Sequence, residues 1–107
     1  MKLYVDDVRE APEGWVLARD YRHSVLMFQM MTVDELSLDH DLGGELDGYD
    51  IAQWIVEYGI WPRHIYCHSM NPVGRENILA LLERYAPNSV TVHREWRADA
   101  HRQANTT

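Results

Sequence analysis

Short apolar runs that end in acidic or polar residues alternate along the chain with segments whose apolar residues recur at helical spacing. That alternation predicts βα units around a mostly parallel sheet. Strands are expected over Lys2–Asp6, Trp15–Arg19, Glu35–Asp39, His64–Ser69 and Ser89–His93. Asp20 can cap a helix that runs to about Met31, with Tyr21, Val25, Phe28 and Met31 on its inner face. Asp47 can cap a second helix to about Tyr58, where Ile51, Trp54, Ile55 and Tyr58 share one side. Gly59 closes it and Pro62 lies just beyond. Asn71 followed by Pro72 supplies an N-cap and a first-turn proline for a third helix, which runs to about Tyr85 with Ile78, Leu81, Leu82 and Tyr85 inward.

The link between the first two strands, residues 7–14, carries no helical pattern. A parallel crossover usually needs about a dozen residues or more, so the first crossover helix is missing and the direction of the second strand stays open. One domain is expected over residues 1–97, followed by a polar tail over 98–107. A chain of 107 residues leaves room for one core.

Composition narrows the classes of function. No apolar run approaches the roughly 20 residues that span a bilayer. The early acids Asp6 and Asp7 do not suit a leader peptide. The lone cysteine, Cys67, sits beside Ile65 and Tyr66, which points to a buried thiol and a cytoplasmic, reducing setting. The net charge is -7, and nine of the ten basic residues are arginines, Lys2 being the exception. No basic stripe is visible, which argues against a long nucleic-acid partner. A phosphate ligand should then be small, or be held through a metal ion that reverses the local charge.

Candidate chemistry gathers where the strands end. In open α/β sheets, ligands bind beyond the carboxyl ends of the strands. The first strand ends in Asp6-Asp7, the third in Asp39-His40-Asp41 and the fourth in His68-Ser69. Neighbouring strands lie about 4.8 Å apart, so these groups share one crevice if their strands are neighbours. Two carboxylates about 5 Å apart repel by roughly 3 kcal/mol at an effective dielectric of about 20, which favours a cation between them. Oxygen ligands of this kind suit Mg²⁺ or Mn²⁺. Asp6, Asp7, Asp39 and Asp41 are the candidate metal ligands. Each Asp could instead stabilise its own turn, and Asp47 reads better as a helix cap than as a ligand. His40 and His68 adjoin an acid or a hydroxyl at a strand end and are candidates for proton transfer; His23, His64 and His101 read as surface or structural. The four tryptophans read as packing. The start of the third helix, with Ser69, Asn71, Val73, Gly74 and Arg75, offers free N–H groups and a cation to a phosphate oxygen. Arg75 opposes the helix dipole there and could instead pair with Asp41.

The runs Leu3-Tyr4-Val5-Asp6-Asp7-Val8-Arg9, Ser37-Leu38-Asp39-His40-Asp41-Leu42-Gly43 and His68-Ser69-Met70-Asn71-Pro72-Val73-Gly74-Arg75-Glu76-Asn77 resemble the cyclic-phosphate-processing receiver-like family, and more distantly the response-regulator receiver domain. The resemblance covers the chain to about His93. It implies a three-layer flavodoxin-like α/β fold with strand order 2-1-3-4-5. By the receiver pattern, Asp6 and Asp7 are the acid pair, Asp39 the phosphate-accepting position and Ser69 the hydroxyl position. Two features depart from it: the first crossover helix is missing, and no lysine follows the fifth strand, where His93 or Arg94 stands. Lys2 begins the first strand, roughly 13 Å from its acidic end, and cannot replace it. The implied activity is metal-dependent hydrolytic opening of a cyclic phosphate on a nucleotide or an RNA end. His40 and His68 would serve as acid and base, and Asp39 as a possible nucleophile. A non-enzymatic phosphoacceptor switch, or a nucleotide-sequestering protein, is the alternative.

Overall fold

The structure, a computed structural model, describes residues 1–97; the expected tail and His101 lie outside the described residues. Strands β1 (Lys2–Val5), β2 (Val16–Ala18), β3 (Glu35–Leu38), β4 (His64–Cys67) and β5 (Thr91–His93) form one sheet in the order β2-β1-β3-β4-β5. Every neighbouring pair is parallel, which fixes the direction of β2. No helix joins β1 to β2. The return needs only to retrace a short strand and step one strand sideways, and residues 6–15 can span up to about 33 Å. Arg19 ties this link down, its guanidinium donating to the Asp6 carbonyl at 3.3 Å and the Arg9 carbonyl at 2.9 Å.

Helices α1 (Tyr21–Met30), α2 (Gly48–Tyr58) and α3 (Pro72–Tyr85) start at the expected caps, Asp20, Asp47 and Asn71. Asp47 and Asp50 form a reciprocal capping box, and Gly59 ends α2 in the left-handed conformation. The steps β2–β3, β3–β4 and β4–β5 all run in one direction across the sheet, and right-handed crossovers therefore place all three helices on one face. Leu3, Val5, Leu36, Leu38, Ile65 and Cys67 point to that face and pack with Phe28, Ile51, Ile55, Ile78, Leu79 and Leu82. No helix of the described residues is long and apolar enough to cross a membrane.

The step from β1 to β2 runs the other way, and a helix there would have covered the second face. Among the described residues that face is covered by coil instead. Ala11 and Trp15 from the β1–β2 link, and Trp96 after β5, pack on Tyr4, Leu17 and Tyr66. Among the described residues, the third layer of the receiver-like fold is therefore aromatic coil.

Three expected inward residues face solvent: Met31 is 50% exposed, Tyr58 61% and Tyr85 49%. Met31 is the extended C-cap of α1, where helical spacing no longer applies. Tyr58 and Tyr85 are the last residues of their helices; Tyr58 lies along Trp54 and Tyr85 beside the Arg84 guanidinium. The strands also stop before Asp6, Asp39 and His68, and β5 begins at Thr91 rather than Ser89.

Candidate functional site

The ladder runs one residue past β1, β3 and β4: the Asp39 amide donates to the Val5 carbonyl at 2.9 Å and the His68 amide to the Leu38 carbonyl at 3.0 Å. Asp6, Asp39 and His68 therefore leave the sheet side by side. One ligand atom from each lies within 4.8 Å of the others.

Asp6 is fully buried and held by three donors. Its Oδ1 accepts from the Val8 amide at 2.8 Å and the Arg9 amide at 2.7 Å, which folds the start of the β1–β2 link around it. Its Oδ2 lies 3.0 Å from His68 Nε2. Burial alone would raise this carboxyl, but the Arg9 and Val8 amides and His68 outweigh it and hold it below the ordinary range.

The His68 side chain is 1% exposed. Its Nδ1 lies 2.7 Å from Ser37 Oγ, and its ring stacks on Tyr4 with centroids 4.1 Å apart and planes at 6°. Burial lowers its pKa to about 4, so the imidazole is neutral near neutrality. Because the Asp6 carboxylate can only accept, Nε2 carries the proton and Nδ1 accepts from the Ser37 hydroxyl. Ser37, on β3 beneath the site, escaped the sequence reading. Its signal was a serine set between Leu36 and Leu38, and its partner lies 31 residues away.

Asp39 shifts the other way. Burial first, and then the charge of Asp6, raise its carboxyl above the ordinary value, with Ser69 offering a partly compensating hydrogen bond. One carboxylate held ionised beside another pushed toward neutrality marks a site that would gain from a positive charge. The two carboxylates fit a hard divalent ion such as Mg²⁺ or Mn²⁺, while His68, whose Nε2–H donates to Asp6, braces the pair rather than adding a ligand. Asp7 and Asp41 stand outside this converging group. A Cβ at Gly43, whose φ is +72°, would come 3.0 Å from Asp7 Oδ2, so Asp7 faces the loop after β3. The Asp41 side chain is 67% exposed, with Oδ1 2.9 Å from His40 Nδ1 and Oδ2 3.5 Å from Asn71 Nδ2.

His40 is held between two helix starts. Besides Asp41, its Nε2 lies 3.4 Å from Asp47 Oδ2. A Cβ at Gly74 would come 2.4 Å from its ring, so this glycine makes room for His40. Gly48, which the sequence reading also passed over, plays a similar part: a Cβ there would meet the Asp39 carbonyl oxygen at 2.0 Å. His40 lines a cleft of about 740 Å³ with Asp47, Tyr49, Asn77 and Arg84. His68 lines a different cleft of about 690 Å³, with Arg9, Ser69, Arg75 and Arg97. The two histidines do not converge on one cleft.

Ser69 is buried and accepts from the Asn71 amide at 3.1 Å. At the start of α3, Pro72 has no N–H, Gly74 donates to Asn71 Oδ1 at 3.0 Å and Arg75 to the Asn71 carbonyl at 2.8 Å. Val73 is exposed, and its amide has no hydrogen-bond partner among the described residues. Lys2 pairs with Glu35 at 3.7 Å at the far end of the sheet, and Arg94 pairs with Glu76 at 2.7 Å and with Glu83. His93 hydrogen-bonds His64 at 3.0 Å and stacks on Tyr66. Cys67 is buried, and that burial pushes its thiol up to about 11, so it is not a ready nucleophile.

Compared with known families, residues 1–84 match the model of the cyclic-phosphate processing receiver domain. Neither the curated proteins nor the solved structures include a match to the chain.

Proposed function

This chain belongs to the cyclic-phosphate processing receiver domain family, and we propose that it opens a cyclic phosphodiester by metal-dependent hydrolysis. One observation carries this reading: carboxylate oxygens of Asp6 and Asp39 lie within 4.8 Å of each other, braced by His68 and immediately beside the buried Ser69 hydroxyl. Asp6 and Asp39 would hold Mg²⁺ or Mn²⁺, with His68 bracing Asp6 rather than ligating the ion. When bound, the ion supplies charge neutralisation at non-bridging phosphate oxygens and acidifies water.

The chain's own groups account for the remaining steps. Ser69 Oγ, the Val73 amide and the Arg75 guanidinium hold the phosphate oxygens in the cleft. Asp39, whose carboxyl is raised by burial and by Asp6, accepts the proton of the attacking water as its oxygen bonds to phosphorus. The ring P–O bond breaks and the leaving oxygen takes a proton from solvent water. His68 acts on Asp6 rather than on substrate: its Nε2–H fixes the carboxylate, and Ser37 fixes the ring. His40, in the other cleft, orients the β3–α2 loop through Asp41 and Asp47.

The test is a screen of nucleoside 2′,3′- and 3′,5′-cyclic phosphates with Mn²⁺ or Mg²⁺, followed by ³¹P NMR. Ring opening should stop with chelator and fall at least about a hundredfold in Asp39→Asn. Full activity in that variant, or no product from any substrate, refutes the reading. A phosphoacceptor role is the second possibility, favoured by the placement of Ser69 beside Asp39. A base-labile adduct from acetyl phosphate, lost in Asp39→Asn, would support it.

A further inference from the structure

Four of the nine arginines in this acidic chain line the single cleft that also holds His68 and Ser69: Arg9, Arg75, Arg94 and Arg97. Two of the four, Arg94 and Arg97, follow β5 and lie beyond residue 84, where the family match ends. This wall is therefore a feature of the chain that the family assignment does not cover. Glu95 is the one acid in the lining. Arg94 is taken up by Glu76 and Glu83, and Arg9 Nη1 donates to the His68 carbonyl at 3.1 Å. Neither Arg75 nor Arg97 has an ion-pair partner among the described residues.

A cyclic phosphodiester carries a single negative charge. Ser69, the Val73 amide and Arg75 already meet it, which leaves Arg97 and the remaining charge of Arg9 in excess. The cleft, at about 690 Å³, is large enough for a whole nucleotide. Arg97 has no carboxylate partner and Arg9 forms no ion pair among the described residues, its Nη1 donating to the His68 carbonyl; together in one concave site they are suited to a second phosphate, which guanidinium groups hold by charge-assisted hydrogen bonds.

We propose that this cleft holds a second phosphate subsite built by Arg97 with Arg9, and that the substrate is a mononucleotide bearing a 5′-phosphate in addition to a 2′,3′-cyclic phosphate. The inference rests on the ring-opening reading for the nature of the substrate, but the subsite can be measured without turnover. A 3′,5′-cyclic mononucleotide, whose 5′ oxygen is inside the ring, has no group to place there.

The probes are adenosine 3′-monophosphate and adenosine 3′,5′-bisphosphate, titrated calorimetrically into the full chain with Mn²⁺. The bisphosphate should bind about tenfold tighter or better, because a charged hydrogen bond is gained. In Arg97→Gln the ratio of the two affinities should fall close to unity, and Arg97→Lys should keep part of the advantage. Arg97 is exposed, so these variants should fold. Equal affinities in the native chain, no binding of either probe, or an unchanged ratio in Arg97→Gln would overturn the subsite. An affinity advantage without any ring opening would overturn the proposed reaction and leave the subsite standing.

Discussion

Replacing His68 tests how the site is held, because its effect on stability has a definite sign and window. In the folded chain burial depresses the His68 pKa from 6.5 to about 4. Between those values the unfolded chain binds a proton that the folded chain refuses, so stability falls as pH drops through the window. The loss is absent above about pH 6.5 and complete below about pH 4. Two to three units at about 1.4 kcal/mol each give roughly 3 kcal/mol over the whole range. The side chain is almost wholly enclosed, so solvent screening reduces this little. Asp6, with a depressed carboxyl, contributes stability that is lost only at lower pH, as it is protonated. Asp39, with a raised one, works in the opposite sense, favouring the folded chain as pH falls, and does so in both proteins compared. The assay is urea unfolding with chelator at several values between about pH 4.5 and pH 7, on the native chain and on His68→Gln. Glutamine is less stable throughout because it loses the Tyr4 stack, so the slopes are compared rather than the absolute values. The native chain should be the steeper by about 2 kcal/mol or more across the window. Parallel slopes would mean that His68 is not held neutral between Asp6 and Ser37.

Gly48→Ala should cost several kcal/mol in thermal unfolding, since its Cβ would sit 2.0 Å from the rigid Asp39 carbonyl oxygen. Gly44→Ala, with nothing within 4 Å of the added carbon, should stay within about 0.5 kcal/mol; equal effects would discount the close approach of α2. Asp39→Asn should raise the metal-free unfolding midpoint, because it removes a carboxylate disfavoured by burial and by Asp6, and it should abolish stabilisation by Mn²⁺. A lower metal-free midpoint would contradict the repulsion.

The three helices could be read from the chain because each depends on local chemistry, whereas the sheet order followed only from the resemblance to receivers. Asp20, Asp47 and Asn71 cap their own helices within three residues. Ile51 and Ile55 recur at a spacing that only a helix buries on one side. The direction of β2 could not be read, because residues 6–15 cross without a helix and leave no periodic pattern. Met31, Tyr58 and Tyr85 misled for a related reason: spacing places a residue on a face but does not say where the helix outruns its neighbours. At the site, the acids at the ends of β1 and β3 were visible as composition. Their separate fates were not. Asp6 and Asp39 converge with His68, whereas Asp7 and Asp41 lean toward loop partners, Gly43 and His40. The division depends on which side of each strand end the chain leaves, and that is set by pairing between distant segments.

The second sheet face explains why this site is built from polar residues beneath it as well as around it. A parallel sheet covered by helices on both faces is ordinarily apolar throughout. Here the helix that would cover this face between β1 and β2 is replaced by coil, and coil with aromatic side chains tolerates polar neighbours that a helix layer would strand. The side chains of Tyr4, Ser37 and Tyr66 can therefore form one row across the sheet, next to Asp6 and His68 at the strand ends. Ser37 and Tyr4 fix His68 from below, and His68 in turn fixes Asp6. The chain of support crosses three neighbouring strands rather than following any one of them. Each of its members has its rotamer set by packing or by a buried hydrogen bond, the condition under which a site can hold its geometry before a ligand arrives. Loss of the crossover helix is thus tied to the rigidity of the site: the same exchange of helix for coil that departs from the usual receiver pattern admits the polar row that anchors Asp6.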